Sequence, residues 1–213
     1  MIKVSTFVFG PFYENTYVAY DETGDCIIID PGCSNPREEE ELSLFIEGNK
    51  LKPVQLLLTH THIDHVMGLN YVFTKYGLKP QFNQIEQYIL DAAPQFAANY
   101  GIDLQLPFPE AEKYIDQGDI IEFGVSRLEI LFLPGHSPGH LAFYHADQRI
   151  IFGGDVLFYL SIGRTDLPSG NHDQLITSIK KNLFRLDDEY LVYPGHGQTT
   201  TIGNERKYNP FLQ

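Results

Sequence analysis

The chain has 213 residues, of which 43% are hydrophobic and 20% are charged, and it carries a formal net charge of −13. These proportions are typical of a globular protein and exclude disordered and fibrous classes, and the length suits one substantial domain. A surface this acidic disfavours binding to nucleic acid through its phosphates and docking onto anionic lipid.

Short apolar runs and apolar alternation divide the chain into strands and helices. They predict strands at Lys3–Phe9, Thr16–Tyr20, Cys26–Asp30, Val54–Thr59, Ile120–Phe123, Ser126–Leu133, Leu141–His145, Arg149–Phe152 and Tyr190–Tyr193. Helical periodicity predicts helices at Pro36–Glu47, from after His65 to about Tyr76, at Ile85–Asn99 and at His172–Leu186. Because strands cluster toward both ends and helices are interspersed, we expect a single α/β domain over residues 1–213, with mixed sheets covered by helices.

The N-terminus and the cysteines indicate the compartment. The stretch "MIKVSTFVFG" alternates like a strand and is too short for the apolar core of a signal peptide, and no apolar run is long enough to span a bilayer. The two cysteines, Cys26 and Cys33, form no CxxC pair, so we favour free thiols in a reducing compartment over a disulfide. We therefore expect a cytoplasmic protein.

Histidine and aspartate recur at one kind of position, directly after a predicted apolar strand. Asp30 follows "CIII", His60 follows "VQLLLT", His136 follows "LEILFLPG", Asp155 follows "RIIFGG" and His196 follows "YLVYPG". Loops at strand ends present side chains toward a common point. This recurrence predicts one shared polar site.

The stretch "THTHIDH" concentrates three histidines at one strand end. His60 and His62 are two residues apart, so in extended backbone both side chains lie on one side and can bind one ion. Asp64 and His65 follow where the chain turns into a helix, and they suit a second ion. Imidazoles and carboxylates are ligands for zinc, iron and manganese. The residues that together predict a metal centre are His60, His62, Asp64, His65, His136, Asp155 and His196.

The remaining histidines and Asp30 are expected to play supporting parts. Asp30 and His140 suit hydrogen bonds that orient their neighbours, rather than direct ligation. His145 and His172 are interpreted as ordinary loop or helix-start residues.

The run "THTHIDH" resembles the His-x-His-x-Asp-His signature of the metallo-β-lactamase-fold hydrolases, and "DPG", "PGHSPGH", "GGD" and "PGHG" resemble that superfamily's other motifs in the same order. The resemblance implies an α/β fold, a four-layer αβ/βα sandwich with metals in a cleft at one edge. It implies two divalent ions, zinc or alternatively iron or manganese. One ion would be held by His60, His62 and His136, the other by Asp64, His65 and His196, with Asp155 bridging both.

Two further segments narrow the resemblance. "GRTDLPSGNHDQL" at Gly163–Leu175 and the ending "GNERKYNPFL" look like the small, glyoxalase II-like branch of hydroxyacylglutathione hydrolase-type proteins. That branch implies a small-molecule thioester substrate such as S-lactoylglutathione, attacked by a metal-bridging hydroxide that Asp64 also orients. Full-length glyoxalase II continues into a helical domain that contacts glutathione, whereas this chain ends soon after His196. The resemblance therefore supports the thioester chemistry more strongly than it supports glutathione as the thiol.

The chemistry of the leaving group also favours a thioester or another activated ester as the substrate. A thiol leaves as a thiolate without a proton donor, whereas an amine requires one, and the sequence offers no dedicated acid beyond the metal ligands. Arg164 is a candidate contact for a substrate carboxylate, and the favoured alternative is a salt bridge with Asp166 or another buried carboxylate. The aromatic-rich segment Phe82–Phe108 is interpreted either as a lid over the cleft or as a packed helix.

Three alternatives stay open at this point. A persulfide dioxygenase of the same superfamily would use one iron on His60, His136 and Asp155. A hydrolase of lactones or other activated esters shares the fold. A non-catalytic metal-binding or scaffold protein is disfavoured, because no ligand position departs from the pattern.

Overall fold

The computed structural model describes Met1–Gln213, and its backbone divides into two units. The first unit comprises Met1–Ile115 and Glu122–Ser126, and the second comprises Asp116–Ile121 and Arg127–Gln213. The chain forms two six-stranded sheets and one small two-stranded sheet. None of the helices combines the length and the apolar character that crossing a bilayer requires.

The first sheet has the strand order β1-β2-β3-β4-β5-β6. Its strands are β1 (Lys3–Phe9), β2 (Glu14–Tyr20), β3 (Asp25–Ile29), β4 (Lys52–Leu57), β5 (Pro80–Phe82) and β6 (Lys113–Tyr114). The strands β1 to β3 pair antiparallel, whereas β3 to β6 pair parallel. Parallel strands end at the same edge of a sheet, so the residues that follow β3, β4 and β5 emerge side by side.

Helices pack against the first sheet through apolar side chains. They are α1 (Pro36–Gly48), α2 (Ile63–Val66), α3 (Leu69–Tyr76) and α4 (Gln87–Asn99). Leu42 of α1, Val72 of α3 and Leu90 of α4 share one core cluster with Ile28 and Leu56 of the strands. Each such side chain contributes roughly 1.5–3 kcal/mol when it is fully buried. These contacts hold the sheet edge in place.

The start of α1 is capped by side chains. The side chain of Asn35 accepts a hydrogen bond from the amide of Glu38, and Pro36 occupies the first turn. The carboxylate of Glu38 in return accepts from the amide of Ser34. The two hydrogen bonds satisfy the Glu38 amide, which lacks a helical partner, and tie the preceding residue to the helix start.

The second sheet has the order β14-β13-β10-β9-β8-β7. Its strands are β7 (Ile120–Phe123), β8 (Ser126–Phe132), β9 (Leu141–His145), β10 (Ile150–Gly154), β13 (Leu191–Pro194) and β14 (Thr200–Thr201). β8 and β10 both pair antiparallel with β9, and β13 pairs parallel with β10. The strands β8, β10 and β13 therefore run in one direction and end at one edge of this sheet.

The second unit also contains a short hairpin and two helices. The hairpin is β11 (Leu157–Phe158) and β12 (Ser161–Ile162), and the helices are α5 (His172–Lys181) and α6 (Ile202–Tyr208). Leu175 and Ile179 of α5 and Ile202 of α6 pack with Ile151 and Val192 of the sheet. The second unit therefore has its own apolar core.

Most predicted elements are present, with shifted ends. β1, β7 and β9 have the predicted bounds, and the other predicted strands are present within two residues at each end. The helix predicted after His65 begins earlier, at Ile63, and is interrupted at Gly68, where a Cβ would collide with the Cys33 sulfur. The helix predicted to end at Leu186 ends at Lys181.

The segment Phe82–Phe108 packs into the first unit. Phe82 and Leu90 belong to its core cluster, and Leu104 and Phe108 pack against that cluster. This packing supports the packed-helix interpretation of the segment over the lid interpretation.

Candidate metal centre

Asp30 organises two histidines at the edge of the first sheet. It follows β3 with a φ of 51° and is buried. Its Oδ1 accepts a hydrogen bond from the amide of Thr59 at 2.7 Å, and its Oδ2 accepts from the Thr59 hydroxyl at 2.6 Å. The same Oδ2 lies 3.1 Å from Nδ1 of His65. The orienting hydrogen bonds predicted for Asp30 are therefore present.

The Thr59 hydroxyl extends this network to His60. Its oxygen lies 3.0 Å from Nδ1 of His60. Because the single hydroxyl proton goes to Asp30, Nδ1 of His60 is the donor in that contact. The carboxylate makes Nδ1 of His65 a donor in the same way. In both rings the lone pair is then on Nε2, the arrangement found in histidines that bind metals.

The predicted residues of the first unit lie close together. The ring centroid of His60 is 4.7 Å from that of His62 and 4.1 Å from that of His65. Nε2 of His65 lies 3.8 Å from Oδ2 of Asp64. Asp30, His60 and His65 each offer one ligand atom, and these atoms lie within 4.8 Å of one another. The first unit thus brings histidine and aspartate donors together, and because Asp30 and Thr59 contact Nδ1 of His65 and His60, Nε2 of each ring is the atom left for a metal ion.

Glu14 is a buried carboxylate near this cluster that the sequence analysis missed. Its Oε2 accepts from the Thr16 hydroxyl at 2.8 Å, and its Oε1 lies 3.9 Å from Nδ1 of His65. Burial raises the pKa of Glu14 well above its usual range, against the opposing effect of His65. A Cβ on Gly32 would collide with this carboxylate, which explains the glycine of "DPG". An acidic residue shortly before the apolar segment Tyr17–Tyr20 was the available signal.

The second unit gathers Asp155 with two histidines. Oδ2 of Asp155 lies 3.5 Å from Nε2 of His136 and 3.5 Å from Nε2 of His196. These separations are too long for direct hydrogen bonds. One carboxylate oxygen therefore lies between two imidazole nitrogens, and this donor set suits zinc, iron or manganese.

Backbone contacts hold this second cluster. Nδ1 of His136 lies 2.7 Å from the carbonyl oxygen of Arg164, so it donates there and leaves its lone pair on Nε2. Nε2 of His140 accepts from the amide of Asp155 at 3.1 Å, which is the supporting role predicted for His140. Gly163 lies against the Asp155 carbonyl, where a Cβ would collide.

The guanidinium of Arg164 forms an ion pair with Asp166, as in the alternative interpretation of this residue. Nε and one terminal nitrogen each lie 2.7 Å from a carboxylate oxygen of Asp166. The hydrogen bonds from Arg164 lower the pKa of Asp166 to about 2. The contact of Arg164 with the cluster is made by its backbone, and a role of its side chain in substrate binding stays a prediction.

The remaining histidines and the cysteines lie outside these clusters. Nδ1 of His145 accepts from the amide of Gln148, and His172 is the first residue of α5. Cys26 and Cys33 are free and buried. Burial raises the pKa of Cys26 to about 12, so its thiol is not a nucleophile at neutral pH.

Comparison with known proteins identifies the family. The model of the metallo-beta-lactamase superfamily matches residues 9–196, a span that includes all seven predicted ligands. The chain therefore belongs to the metallo-β-lactamase superfamily. With its histidine and aspartate clusters, it is a metallo-hydrolase of that superfamily.

Particular relatives cover nearly the whole chain. The chain is 37% identical over 202 residues to hydroxyacylglutathione hydrolase GloC of Haemophilus influenzae, which covers 94% of this chain and 93% of that protein. Two crystal structures are similar throughout. That of the B3 metallo-beta-lactamase BLEG-1 has a TM-score of 0.90 and 32% identity, covering 99% of each chain. That of TTHA1623 in a di-iron-bound form has a TM-score of 0.87 and 36% identity, covering 98% of this chain and 100% of that one. These similarities confirm the predicted fold class.

Proposed function

We propose that the protein hydrolyses a small-molecule thioester at a two-metal centre, and that its two units form one domain around that centre. One ion would be held by His60, His62 and His136. The other would be held by Asp64, His65 and His196, and Asp155 would bridge both. This assignment combines the cluster of each unit with the ligand order of the superfamily.

The donor atoms fit divalent metal ions. Nδ1 of His60, His65 and His136 is occupied by Thr59, Asp30 and the Arg164 carbonyl, respectively. Each ring is thereby fixed in the tautomer that presents Nε2 to a cation. Bound divalent ions supply a water of pKa near 7 and a positive charge that stabilises a developing oxyanion. Zinc fits these nitrogen and carboxylate donors, as does iron, the metal of the similar TTHA1623 structure.

The side chains of the chain have distinct tasks in this proposal. Asp30 and Thr59 hold the imidazoles of His60 and His65 so that little rearrangement is needed when ions bind. Asp64, only partly buried, is an acceptor that orients the attacking water toward an acyl carbon. A thiolate leaves without a proton donor, so these ligands and acceptors suffice for a thioester, whereas an amide would require an acid.

The observation that carries the thioester proposal is the 37% identity to hydroxyacylglutathione hydrolase GloC, spread over 94% of this chain and 93% of that one. A match of this extent includes the loops after every strand that ends at the clusters. It supports a common reaction class as well as a common fold.

Thiol release from S-lactoylglutathione tests the proposal directly. Metal-replete protein should release thiol, and His62→Ala should lower kcat/KM by at least about 100-fold because it removes a ligand. His145→Ala is the matched control, since that histidine ends β9, at the opposite end of the strand from His140. A second substrate, the lactoyl thioester of N-acetylcysteamine, separates thioester chemistry from recognition of glutathione.

The results have distinct meanings. Hydrolysis of both thioesters supports the proposed reaction and indicates that recognition of glutathione is not required. Equal rates for the wild type and His62→Ala contradict the assigned ligand set. Iron in the protein with oxygen uptake on glutathione persulfide, and no thiol release from either thioester, would replace the proposal with the dioxygenase alternative.

A further inference from the structure

A buried carboxylate outside the metal motifs contacts the residue between His60 and His62. Glu86 ends the short 3₁₀ turn Gln84–Glu86 that leads into α4, and it is fully buried. Its Oε2 accepts a hydrogen bond from the amide of Thr61 at 3.0 Å. The Thr61 hydroxyl lies 2.9 Å from the carbonyl oxygen of Glu86 and 3.2 Å from Oε2. Thr61 is itself fully buried.

These contacts hold the peptide unit before Thr61 and the Thr61 side chain. The Thr61 amide belongs to the planar peptide unit that begins at His60, so holding its N–H sets the orientation of that whole unit. The hydroxyl contacts fix the Thr61 side chain, and the chain continues to His62 in extended conformation, with φ −63° and ψ 154°. The directions in which both imidazoles leave the backbone therefore depend on Glu86.

The topology explains how one residue reaches this loop. β4 and β5 are parallel neighbours, so the loop that follows β4 and the turn that follows β5 lie side by side at one sheet edge. A carboxylate buried there is costly unless hydrogen bonds compensate it. An amide and a hydroxyl of the histidine loop provide that compensation, so the carboxylate and the loop stabilise each other.

We propose that Glu86 is a positioning residue that pre-organises the His60 and His62 pair for metal binding. It acts through Thr61 and touches neither the ion nor the substrate. The proposal rests on the proposed function only in that this pair binds an ion, and it adds α4 and its preceding turn to the structure that supports the centre. Groups that support metal ligands typically change metal affinity by about 10- to 100-fold when they are removed.

The test uses two substitutions at Thr61. Thr61→Val removes the hydroxyl and keeps the shape, whereas Thr61→Ser keeps the hydroxyl. Affinity for Zn²⁺ is measured by competition with a chelator, and the absorption spectrum is recorded for the Co²⁺-loaded protein. Thr61→Val should lower the affinity for one of the two ions by about tenfold. It should also alter the same Co²⁺ absorption bands that His62→Ala alters. Thr61→Ser should have the affinity and the spectrum of the wild type.

Two more variants keep the test decisive. Glu86→Gln weakens the hydrogen bond to the Thr61 amide by removing the charge, and it should shift affinity in the same direction even where Thr61→Val does not fold. Ser43→Ala, which removes a buried hydroxyl on α1 that donates to the Glu40 carbonyl, should leave affinity unchanged.

The outcomes separate this proposal from the proposed function. Wild-type affinity and Co²⁺ bands in both Thr61→Val and Glu86→Gln would overturn the positioning role and leave the proposed function intact. An equal loss in Thr61→Ser and Thr61→Val would also overturn it, since the hydroxyl would then be irrelevant. A wild-type protein that binds no ions would overturn both. Binding of two ions without thioester hydrolysis, with the loss confined to Thr61→Val and Glu86→Gln, would support the positioning role alone.

Discussion

Oδ2 of Asp30 and Nδ1 of His65 lie 3.1 Å apart, joined by a hydrogen bond inside the first unit. The same carboxylate accepts from Thr59, whose hydroxyl contacts His60. One carboxylate thus fixes the tautomers of two imidazoles that the sequence assigns to different ions. Metal binding should therefore be sensitive to a residue that binds no metal.

Asp30→Asn tests this dependence. The amide group of asparagine cannot accept on both sides, so one of the contacts with Thr59 and His65 is lost. We expect Zn²⁺ affinity to fall by about 10- to 100-fold, as measured by chelator competition. Asp25→Asn, five residues earlier at the start of β3, should bind as the wild type does. Unchanged affinity in Asp30→Asn would contradict the orienting role.

Arg164→Ala distinguishes the role of the Arg164 side chain from the role of its backbone carbonyl. His136 donates to the carbonyl of Arg164, and alanine retains that carbonyl. Because the Arg164–Asp166 ion pair is mostly exposed, its loss should change the free energy of unfolding little. We expect unchanged metal content by elemental analysis and a nearly unchanged melting temperature. A loss of metal would show that the side chain itself supports the centre.

Asp21 should make the stability of the protein depend on pH in the acidic range. Burial alone would raise its pKa, but hydrogen bonds from Thr23, Val125 and Ser126 outweigh burial and lower the pKa from 3.8 to about 2. The lowered pKa means that its contribution is complete above about pH 4 and is lost as the pH falls toward 2. A shift of this size corresponds to about 2 kcal/mol.

Denaturant unfolding of Asp21→Asn measures this contribution. The variant should be less stable by about 2 kcal/mol at pH 7, and the difference from the wild type should shrink between pH 4 and 2. Asp147→Asn, in an exposed turn, is the control. A stability difference that does not change with pH would contradict the linkage.

The C-terminal helix should support the hairpin that follows Asp155. Oε2 of Glu205 accepts from the amide of Leu160 at 2.9 Å, and Asn209 donates to the Ser161 carbonyl. Leu160 has a φ of 52°, a strained conformation for a branched side chain. Glu205→Ala should destabilise the protein by about 2–3 kcal/mol and speed hydrogen exchange at the Leu160 amide. Lys207→Ala, on the exposed side of α6, should do neither.

The placement of histidines and aspartates at strand ends can be predicted from the sequence because each position depends on a local pattern. His60 and His62 share one extended segment, and Asp155 and His196 each follow an apolar strand, so spacing alone indicates a site. The supporting carboxylates Glu14 and Glu86 are different. Glu14 is distant in sequence from His65, and Glu86 is distant from Thr61, so only tertiary packing brings each pair together.

Several short strands and α6 were not predicted from the sequence, for a comparable reason. β5 has three residues, and β6, β11, β12 and β14 have two each, so none is long enough to show alternation. β5 extends a sheet through pairing with β4, a non-local interaction. α6 has seven residues and no long apolar stripe. Its burial depends on Ile202 packing against the second core.

Anomalous diffraction from crystals of the metal-loaded protein, recorded at the absorption edges of zinc and iron, tests the two-metal centre most directly. We expect two peaks, one beside His60, His62 and His136 and one beside Asp64, His65 and His196, with Asp155 next to both. A single peak on the Nδ1 side of His60 and His65, next to Asp30, or no peak among these residues, would contradict it.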